Sequence, residues 1–286
     1  MKVAFLGLGV MGGPMAGHLV SAGHEVTAYN RSPDKASAWA NRFDGHVKST
    51  PQEAVAGAEI VFLCLGDDPD VADIVEKIAG AVSKGGVIVD HTTASPALAR
   101  RLYVELKEIG IGFVDAPVSG GQAGAENGAL SIMCGGDDGD LAKARAIMQA
   151  YASRIVHIGP AGHGQLCKAV NQICIAGLLQ GLSEGVHFAA RSDLNIDRVL
   201  EAISGGAAQS WQMDNRAKTM ASDEFDFGFA VDWMRKDLRI ALNEARNNGS
   251  RLPVAALVDQ FYADIQAMDG GRWDTSSLIR RLSDAD

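Results

Sequence analysis

The spacing of hydrophobic and polar positions changes once along this chain, near its middle. Before about residue 160, short apolar or β-branched runs alternate with segments of helical length. Seven runs have strand character: KVAFLG, HEVTAY, EIVFLCL, GVIVDH, IGFVDAP, LSIMCGG and RIVHIG. Segments such as residues 12–22, 33–43 and 69–81 have helical length. Near-continuous apolar strands that alternate with helices predict a parallel sheet covered on both faces.

From about residue 163 the pattern is helical and no convincing strand follows. The predicted helices cover residues 163–191, 195–204, 232–248, 253–268 and 274–283. Asp274 is expected to cap the last of these helices, and Gly249 to end the third. The change of pattern predicts two domains, an α/β domain over residues 1–161 and an all-helical domain over residues 162–286 that is built on a long first helix.

Length, composition and charge narrow the class of protein. The chain has 286 residues, 47% of them hydrophobic, so each domain can bury its own core. No apolar run reaches the ~18–20 uninterrupted residues of a membrane span. A net charge of −9 argues against nucleic acids and anionic membranes as partners. The four cysteines show neither CxxC nor metal-ligand spacing, so we expect reduced thiols, a cytoplasmic protein and no metal site.

A glycine-rich turn follows the first predicted strand. Gly7-x-Gly9-x-x-Gly12 lies between that strand and a predicted helix, which is the context that dinucleotide binding requires. Gly7 permits the tight turn, Gly9 lets a pyrophosphate approach the backbone, and Gly12 lets the helix pack on the sheet. The positions predicted to contact the cofactor are Gly7, Leu8, Gly9, Val10, Met11 and Gly12. The first domain is therefore predicted to be an NAD(P)-binding Rossmann domain.

The end of the second strand predicts which dinucleotide binds. NAD sites place an acidic residue there to hold the ribose hydroxyls, whereas this chain has Asn30, Arg31 and Ser32. Asparagine carries no charge that would repel a 2′-phosphate, and arginine and serine can donate hydrogen bonds to it. NADP is therefore the predicted cofactor, and NAD is possible. Asp34 could instead favour NAD, and Arg31 could simply be a solvated loop residue.

A lysine interrupts the apolar first helix of the second half. Lys168 lies in GHGQLCKAVNQICIAGLLQG, residues 162–181, where its neighbours are mostly apolar. One interpretation is a lysine at the rim of a buried helix that extends its ammonium to solvent. The other is a general base, which needs a pKa lowered by burial or by nearby positive charge. Gly177, Gly181 and Gly185 recur on the same helix and indicate close packing, either within the domain or between the subunits of a dimer or tetramer.

Four segments occur in order along the chain: FLGLGVMGGPMAGHL, DAPVSGGQAGAENGAL, GHGQLCKAVNQ and MRKDLRIAL. Together they resemble the β-hydroxyacid dehydrogenases, the family that contains 3-hydroxyisobutyrate dehydrogenase and tartronate semialdehyde reductase. The similarity covers essentially the whole chain and is specific to the family, not to one member. It implies reversible hydride transfer between a nicotinamide and a small 3-hydroxy acid or its semialdehyde.

The resemblance also implies roles for individual residues. Lys168 would be the general base, or the general acid in the reducing direction. Ser119, Gly120 and Gly121 would bind the substrate carboxylate through a hydroxyl and consecutive N–H groups, although a plain strand-to-helix turn favours the same residues. The other positions implied for the substrate are Asn171, Gln172, Trp211 and Asp237. Gln172 stands where many members carry asparagine, so either it or Asn171 could orient the substrate hydroxyl.

Three further positions are implied for the cofactor. Leu65 matches a position whose backbone lines the adenosine side, and Thr93 matches a threonine near the nicotinamide ribose. Lys236 is the third, and it forms with Asp237 a pair that matches one facing cofactor and substrate, although a surface ion pair would explain Asp237 as well.

Trp211 matches an aromatic residue that forms a wall of the substrate pocket in some members, but tryptophan is more often a core residue.

Other functions fit the same architecture less well. Imine reductases generally lack the lysine, and a catalytically silent dinucleotide-binding module would typically have lost it. Oxidative decarboxylation, as in 6-phosphogluconate dehydrogenase, uses a similar helix in a much longer chain with phosphate-binding arginines that have no counterpart here. Lys168 and the SGG segment therefore favour an enzyme that acts on a small carboxylate. A 3-hydroxyisobutyrate dehydrogenase, a semialdehyde reductase and a serine dehydrogenase all remain open.

Overall fold

The computed structural model describes residues 1–283 and divides the chain into two compact units. The first unit runs from Met1 to Lys168, and the second begins at Ala169. The division falls inside the long helix, seven residues after the boundary expected between residues 161 and 162. Hydrogen bonds from the first turn of that helix to a strand end of the first unit account for this position.

The first unit is built on a nine-stranded sheet. Its strands are β1 (Lys2–Leu6), β2 (Glu25–Tyr29), β3 (His46–Val47), β4 (Ile60–Leu63), β5 (Val87–Asp90), β6 (Gly112–Asp115), β7 (Val118–Ser119), β8 (Leu130–Gly136) and β9 (Ala152–Gly159). The strand order is β3-β2-β1-β4-β5-β6-β8-β7, and β9 pairs with β8. The first six strands have the doubly wound order of dinucleotide-binding domains, which confirms the predicted Rossmann fold.

Seven helices accompany this sheet. They are α1 (Gly12–Ser21), α2 (Pro33–Phe43), α3 (Pro51–Val55), α4 (Asp68–Ile78), α5 (Pro96–Glu108), α6 (Gly121–Glu126) and α7 (Asp138–Met148). Successive strand residues point to opposite faces, so Phe5 and Phe62 belong to one apolar cluster and Leu6 and Leu63 to another. The first cluster includes residues of α1, α2 and α7, and the second includes residues of α3, α4 and α5.

The sheet is only partly parallel, so the prediction of a parallel sheet is wrong beyond β6. β1 to β6 pair in parallel. β8, however, is antiparallel to both β6 and β7, and β9 is parallel to β8. Parallel neighbours need a long crossover connection, whereas β7 and β8 are joined through the six-residue helix α6. Strands of either direction carry the same apolar pattern, so hydrophobicity alone did not indicate the reversal.

The second unit is helical, as predicted. It contains most of α8 (His163–Arg191), followed by α9 (Ile196–Ile203), α10 (Trp211–Ala221), α11 (Val231–Asn248), α12 (Pro253–Ala267) and α13 (Arg280–Ser283). Gly249 ends α11 in the left-handed conformation, with a φ of 78°. The largest apolar cluster joins α8, α11 and α12 through Leu179, Leu238 and Tyr262.

Two segments of the second unit differ from the predicted helices. Residues Thr275–Ile279 form a 3-10 helix and Arg280–Ser283 a short α-helix, in place of one helix over residues 274–283. The carboxylate of Asp274 accepts from both the N–H and the hydroxyl of Ser276 and thereby holds a tight turn. Helix α10 was not predicted, although Ser210 caps it by accepting the N–H of Met213.

Helix α8 is apolar as well as long. By length and composition it could cross a membrane, a test that core helices of soluble proteins also pass. A Cβ added at Gly177 would lie 3.6 Å from Val254, whereas one added at Gly181 or Gly185 would meet nothing within 4 Å among the described residues. Packing within the second unit therefore does not explain the last two glycines.

Candidate active site

Two glycines of the first turn are required by the fold itself. Gly7 has a φ of 101°, and its N–H donates to the carbonyl oxygen of Tyr29. A Cβ at Gly7 would lie 2.2 Å from the carbonyl oxygen of Cys64, and one at Gly12 would lie 2.0 Å from the carbonyl oxygen of Gly7. The turn is thus packed against the end of β4, at the point where the strand order reverses and where such sheets bind their ligands.

Gly9 has a different environment. A Cβ added there would meet nothing within 4 Å among the described residues, so the backbone lies open. The position is next to the N-terminus of α1, where Met11 is the N-cap residue and provides no side-chain hydrogen bond. The first N–H groups of a helix have no partner within it and favour a bound anion. A pyrophosphate therefore fits this cradle, and a side chain at Gly9 would fill it.

Asn30 links the glycine-rich turn to the end of β2, a role that its residue type did not reveal. Its Oδ1 accepts the N–H of Leu8 at 2.9 Å, and its Nδ2 donates to the carbonyl oxygen of Ser32 at 3.1 Å. The Ser32 hydroxyl does not cap α2. The side chain of Arg31 is 89% exposed and lies 3.2 Å from Asp70. So exposed an ion pair contributes little, which leaves the guanidinium able to turn towards a phosphate.

The loop after β5 is tied to the start of α8 by Gln165. The side-chain amide of Gln165 donates to the carbonyl oxygen of Thr92 at 2.7 Å and accepts the N–H of Ala94 at 3.1 Å. The hydroxyl of Thr92 in turn accepts the N–H of Leu65 at 2.9 Å. Thr93 lies between the two bonded residues and is half-buried. The structure thus joins the segments that carry Leu65 and Thr93.

Asp115, at the end of β6, holds the other side of the same helix start. Its Oδ1 accepts the N–H of Gly162 at 2.7 Å, and its Oδ2 accepts the N–H of Gln165 at 2.9 Å. Burial raises the pKa of Asp115 to about 6, although the main-chain donors act in the opposite direction. A Cβ at Gly135 or Gly164 would come within 2.6 or 2.8 Å of a carboxylate oxygen. The sequence did not predict the hydrogen bonds of Asp115 to Gly162 and Gln165.

Lys168 follows Gln165 by three residues on α8. It is buried, with only 7% of its surface exposed. Burial disfavours the charged form of a lysine unless nearby groups compensate. This burial favours the general base over the rim lysine, and the catalytic role of Lys168 stays a prediction.

Ser119, Gly120 and Gly121 form the turn from β7 into α6. Ser119 is opposite Ser131 in the antiparallel pair of β7 and β8. Gly120 and Gly121 have φ values of 134° and 61°, which favour glycine, and both are exposed. A Cβ at Gly121 would meet nothing within 4 Å among the described residues. The turn therefore offers accessible backbone close to a serine hydroxyl.

A chain of polar side chains runs through the second unit. Asn171 Nδ2 donates to Gln172 Oε1 at 2.7 Å, and Gln172 Nε2 donates to Asp237 Oδ2 at 2.7 Å. The ammonium of Lys236 lies 3.3 Å from Asp237 Oδ1. Gln172 and Asp237 are both buried, and Asn171 is half-buried. Asp237 is therefore not part of a surface ion pair. Because both ends of the Gln172 amide are bonded, Asn171 is the better placed of the two amides to meet a ligand.

Trp211 is not a core residue. It begins α10, is 55% exposed, and lies with its ring centroid 4.9 Å from the guanidinium carbon of Arg216. The same guanidinium lies 4.8 Å from the ring of Phe227, and its Nε is 3.2 Å from Asp274. An aromatic ring held in this way at the surface of the second unit can line a ligand site, which remains a prediction.

His91 is the polar core residue whose role the sequence did not reveal. Its Nδ1 lies 2.7 Å from the carbonyl oxygen of Ala116, its Nε2 lies 2.9 Å from the hydroxyl of Tyr151, and its ring stacks on Phe62. Burial lowers the pKa of His91 to about 4, so the ring is neutral at pH 7. In the part of the chain that the structure describes, no three His, Cys, Asp or Glu residues are grouped as metal ligands.

A doubly wound sheet with an open glycine turn at its switch point defines a dinucleotide-binding protein. Residues 2–159 match the family model described as the NAD binding domain of 6-phosphogluconate dehydrogenase. Residues 162–282 match the model described as NAD-binding of NADP-dependent 3-hydroxyisobutyrate dehydrogenase. The chain belongs to the 3-hydroxyisobutyrate dehydrogenase family, a group of β-hydroxyacid dehydrogenases, and is an NAD(P)-dependent oxidoreductase.

Individual relatives match over the whole chain. A Shewanella frigidimarina protein named uncharacterized oxidoreductase is 57% identical, and the alignment covers 98% of each chain. The 2-hydroxy-3-oxopropionate reductase of Escherichia coli is 33% identical over 99% of this chain and 97% of its own. The structure of Mycobacterium tuberculosis 3-hydroxyisobutyrate dehydrogenase with L-serine is 31% identical, covers 98% of both chains and has a TM-score of 0.90.

Proposed function

We propose that this protein is an NADP-preferring enzyme that transfers a hydride between the nicotinamide and a small 3-hydroxy acid or its semialdehyde. Lys168 is its general acid and base. The observation that carries this proposal is the burial of Lys168 in the first turns of α8. Lysines are almost never fully buried unless they are paired, and active sites are where burial is used to tune titratable groups.

The first unit supplies the groups that would bind the dinucleotide. The backbone at Gly9 and the N-terminus of α1 would hold the pyrophosphate. Asn30, Arg31 and Ser32 would surround the adenosine ribose and its 2′-phosphate. The segments of Leu65 and Thr93 would line the cofactor between its adenosine and nicotinamide ends. When bound, the nicotinamide supplies or accepts the hydride.

The chain's own residues handle the proton and the carboxylate. In the oxidising direction, neutral Lys168 removes the proton from the substrate hydroxyl. In the reducing direction, the Lys168 ammonium returns that proton to the carbonyl oxygen. The hydroxyl of Ser119 and the main-chain N–H groups of Gly120 and Gly121 bind the substrate carboxylate. Asn171, three residues after Lys168 on α8, orients the reacting oxygen.

The preference for NADP rests on the residues after β2. No acidic side chain occupies positions 30–32, and the exposed Arg31 forms a weak surface pair with Asp70. The match of residues 162–282 to an NADP-dependent family supports the same choice. A guanidinium binds phosphate oxygens through two parallel hydrogen bonds, which a neutral residue cannot replace.

The substrate class rests on the relatives as well as on the proposed clamp. The similar enzymes act on 2-hydroxy-3-oxopropionate or are named for 3-hydroxyisobutyrate. Both compounds are short, carry a carboxylate and place the reacting carbon one atom beyond the α-carbon. Reduction of a semialdehyde is therefore as compatible with the site as oxidation of the alcohol.

We further propose that the protein is a cytoplasmic homodimer or homotetramer. Phe188 is 69% exposed, and the exposed residues Val170 and Leu178 precede it on α8 at helical spacing. Gly181 and Gly185, which no described side chain covers, lie between them. An apolar helical face of this kind supports association with a second copy. Sedimentation velocity tests the assembly, and a monomer at micromolar concentration would refute it.

Nicotinamide absorbance tests the reaction. The purified protein is assayed with NADP(H) and NAD(H) in parallel, against a panel of 3-hydroxy acids, short semialdehydes and cyclic imines. Turnover of hydroxy acids or semialdehydes, faster with NADP(H), supports the proposal. Reduction of imines alone would instead indicate an imine reductase, and binding of NADPH without any turnover would indicate a catalytically silent dinucleotide-binding module.

A further inference from the structure

We infer that Asp115 and Gln165 are positioning residues for Lys168, an inference that rests on the proposed function. The two buried side chains fix the first turn of α8 to two strand ends of the first unit. One of these strand ends leads to Ser119, and the other carries Thr93. The position of the proposed base relative to the proposed cofactor and carboxylate groups therefore depends on two residues that touch none of the reacting atoms.

The cap of α8 comes from a distant strand and not from its own sequence. Asp115 accepts the N–H groups of Gly162 and Gln165, which lie 47 and 50 residues away along the chain. A carboxylate at this end of a helix satisfies N–H groups that have no partner in the helix and interacts favourably with the helix dipole. Since each oxygen of Asp115 accepts a different N–H, rotation of the carboxylate would break both bonds. The start of α8 is thereby held to β6.

Gln165 makes the second attachment through both ends of its amide. Its nitrogen donates to Thr92 and its oxygen accepts from Ala94, 73 and 71 residues away. A primary amide can donate from one atom and accept at another in this way at neutral pH, whereas a carboxylate can only accept. Residues three apart are neighbours on a helix surface, so the Gln165 attachment lies immediately beside Lys168.

The backbone around these contacts is closely packed. Gly162 has a φ of 88°, which favours glycine. A Cβ at Gly164 would lie 2.4 Å from the carbonyl oxygen of Met133 and 2.6 Å from that of Asp115. Proton transfer needs the base within hydrogen-bond reach, and a displacement of about 1 Å can cost on the order of a hundredfold in rate. The close packing makes a displacement of that size difficult unless one of the two polar attachments is lost.

Two substitutions at one position separate positioning from stability. Gln165→Met keeps the length of the side chain and removes both hydrogen bonds. Gln165→Glu keeps an acceptor for Ala94 but donates to Thr92 only when its carboxyl group is protonated. Gln149→Met, at an exposed position after α7, is the matched control. Circular dichroism and thermal melts establish that each variant is folded at the assay temperature.

The kcat of Gln165→Met is expected to fall roughly tenfold or more, while the KM for NADPH and the activity of Gln149→Met stay at wild-type values. The kcat of Gln165→Glu, divided by that of the wild type at each pH, is expected to decrease as pH rises, because the carboxylate form cannot donate. The ratio for Gln165→Met is expected to show no such trend. Wild-type kcat in both folded Gln165 variants would overturn the inference.

The wild type and both Gln165 variants share the other titratable groups near position 165. Asp115 bonds to the main chain of Gln165, Asp90 accepts the N–H of Thr92 at 2.9 Å, and His91 and Lys168 lie on the same segments. The ratio to the wild type removes their shared contribution to the pH profile. A trend confined to Gln165→Glu therefore reports the introduced carboxyl group.

A measurement without substrate separates this inference from the proposed function. Trinitrobenzenesulfonate labels neutral lysines, and mass spectrometry gives the labelling rate of Lys168 and of the exposed lysines separately. Labelling of Lys168 is expected to accelerate by roughly threefold or more in Gln165→Met and in Asp115→Asn, because the start of α8 opens more often when an attachment is lost. In Asp115→Asn the attachment is lost because the amide nitrogen would face a main-chain N–H. The rates of the other lysines are expected to be unchanged. Equal Lys168 rates in folded wild type and variants would refute positioning, even if the substrate panel had already failed.

Discussion

Gly9 and Gly12 should respond in opposite ways to the same added methyl group. Both are glycines of one predicted motif, but a Cβ at Gly12 would lie 2.0 Å from the carbonyl oxygen of Gly7 and 3.0 Å from the Phe5 ring. A Cβ at Gly9 would meet nothing within 4 Å among the described residues, and its backbone does not require glycine. We therefore expect Gly12→Ala to damage the fold, and Gly9→Ala to leave the fold intact and damage cofactor binding.

The expected magnitudes follow from these contacts. Overpacking at Gly12 should lower the free energy of unfolding by about 1–3 kcal/mol or more. Gly9→Ala should change it by less, and in the stabilising direction by about 0.4–1 kcal/mol, because alanine restricts the unfolded chain. NADPH at about 100 times its Kd should stabilise the wild type by about 2.7 kcal/mol. For a unit of this size that corresponds to a rise in Tm of about 5–11 °C, which Gly9→Ala should lose.

Thermal melts with and without NADPH measure all of these quantities in one experiment. Gly9→Ala should show a Tm at or slightly above that of the wild type without cofactor and little or no rise with it. Gly12→Ala should start from a lower Tm. An unchanged NADPH-induced rise in Gly9→Ala would show that the pyrophosphate does not approach the backbone at this residue, and the interpretation of the open cradle would then be wrong.

Three further predictions concern other residues of the first unit and of α8. Arg31→Ala should raise the KM for NADPH roughly tenfold and leave the KM for NADH unchanged, because it removes a hydrogen-bond donor to the 2′-phosphate. Steady-state kinetics with both cofactors measure this, and an equal effect on the two KM values would contradict the role of Arg31. Asn171→Ala should lower kcat without lowering Tm. Gln172→Ala should instead lower the free energy of unfolding by about 1–3 kcal/mol, because it leaves buried polar atoms unsatisfied. The reverse pattern in activity assays and thermal melts would exchange the roles of the two residues. As pH falls from 6.5 towards 4, the free energy of unfolding of the wild type should fall by about 3 kcal/mol relative to that of His91→Gln, as measured by denaturant titration. The reason is that His91 is protonated in the unfolded chain over this range but stays neutral in the folded protein. A difference that is independent of pH would contradict the buried neutral ring.

Periodicity was sufficient for much of the fold because it is a local property. The strand–helix alternation predicted the Rossmann domain, and the apolar run over residues 163–191 gave the bounds of α8 that the structure shows. It failed where the outcome depended on other parts of the chain. The direction of β8 depends on its short connection from β7, and the 3-10 turn over Thr275–Ile279 depends on the carboxylate of Asp274.

The candidate site shows the same limit more clearly. Glycine spacing indicated the open turn at Gly9, and the apolar neighbours of Lys168 indicated either a lysine at the rim of a buried helix or a general base. The bonds of Asp115 and Gln165 link residues 47 to 73 positions apart. No pattern within a window of helical length predicts such contacts. What holds Lys168 in place therefore became visible only in three dimensions.

The proposal that Lys168 is the general acid and base is tested most directly by comparing the wild type with Lys168→Met. Methionine keeps an unbranched apolar stem in this buried position and removes the proton-transferring group. Fluorescence titration with NADPH and turnover of the best substrate are measured on the same samples. The account predicts unchanged NADPH binding and a kcat lower by about 10²–10⁴-fold. Wild-type turnover in a folded Lys168→Met that binds NADPH would contradict it.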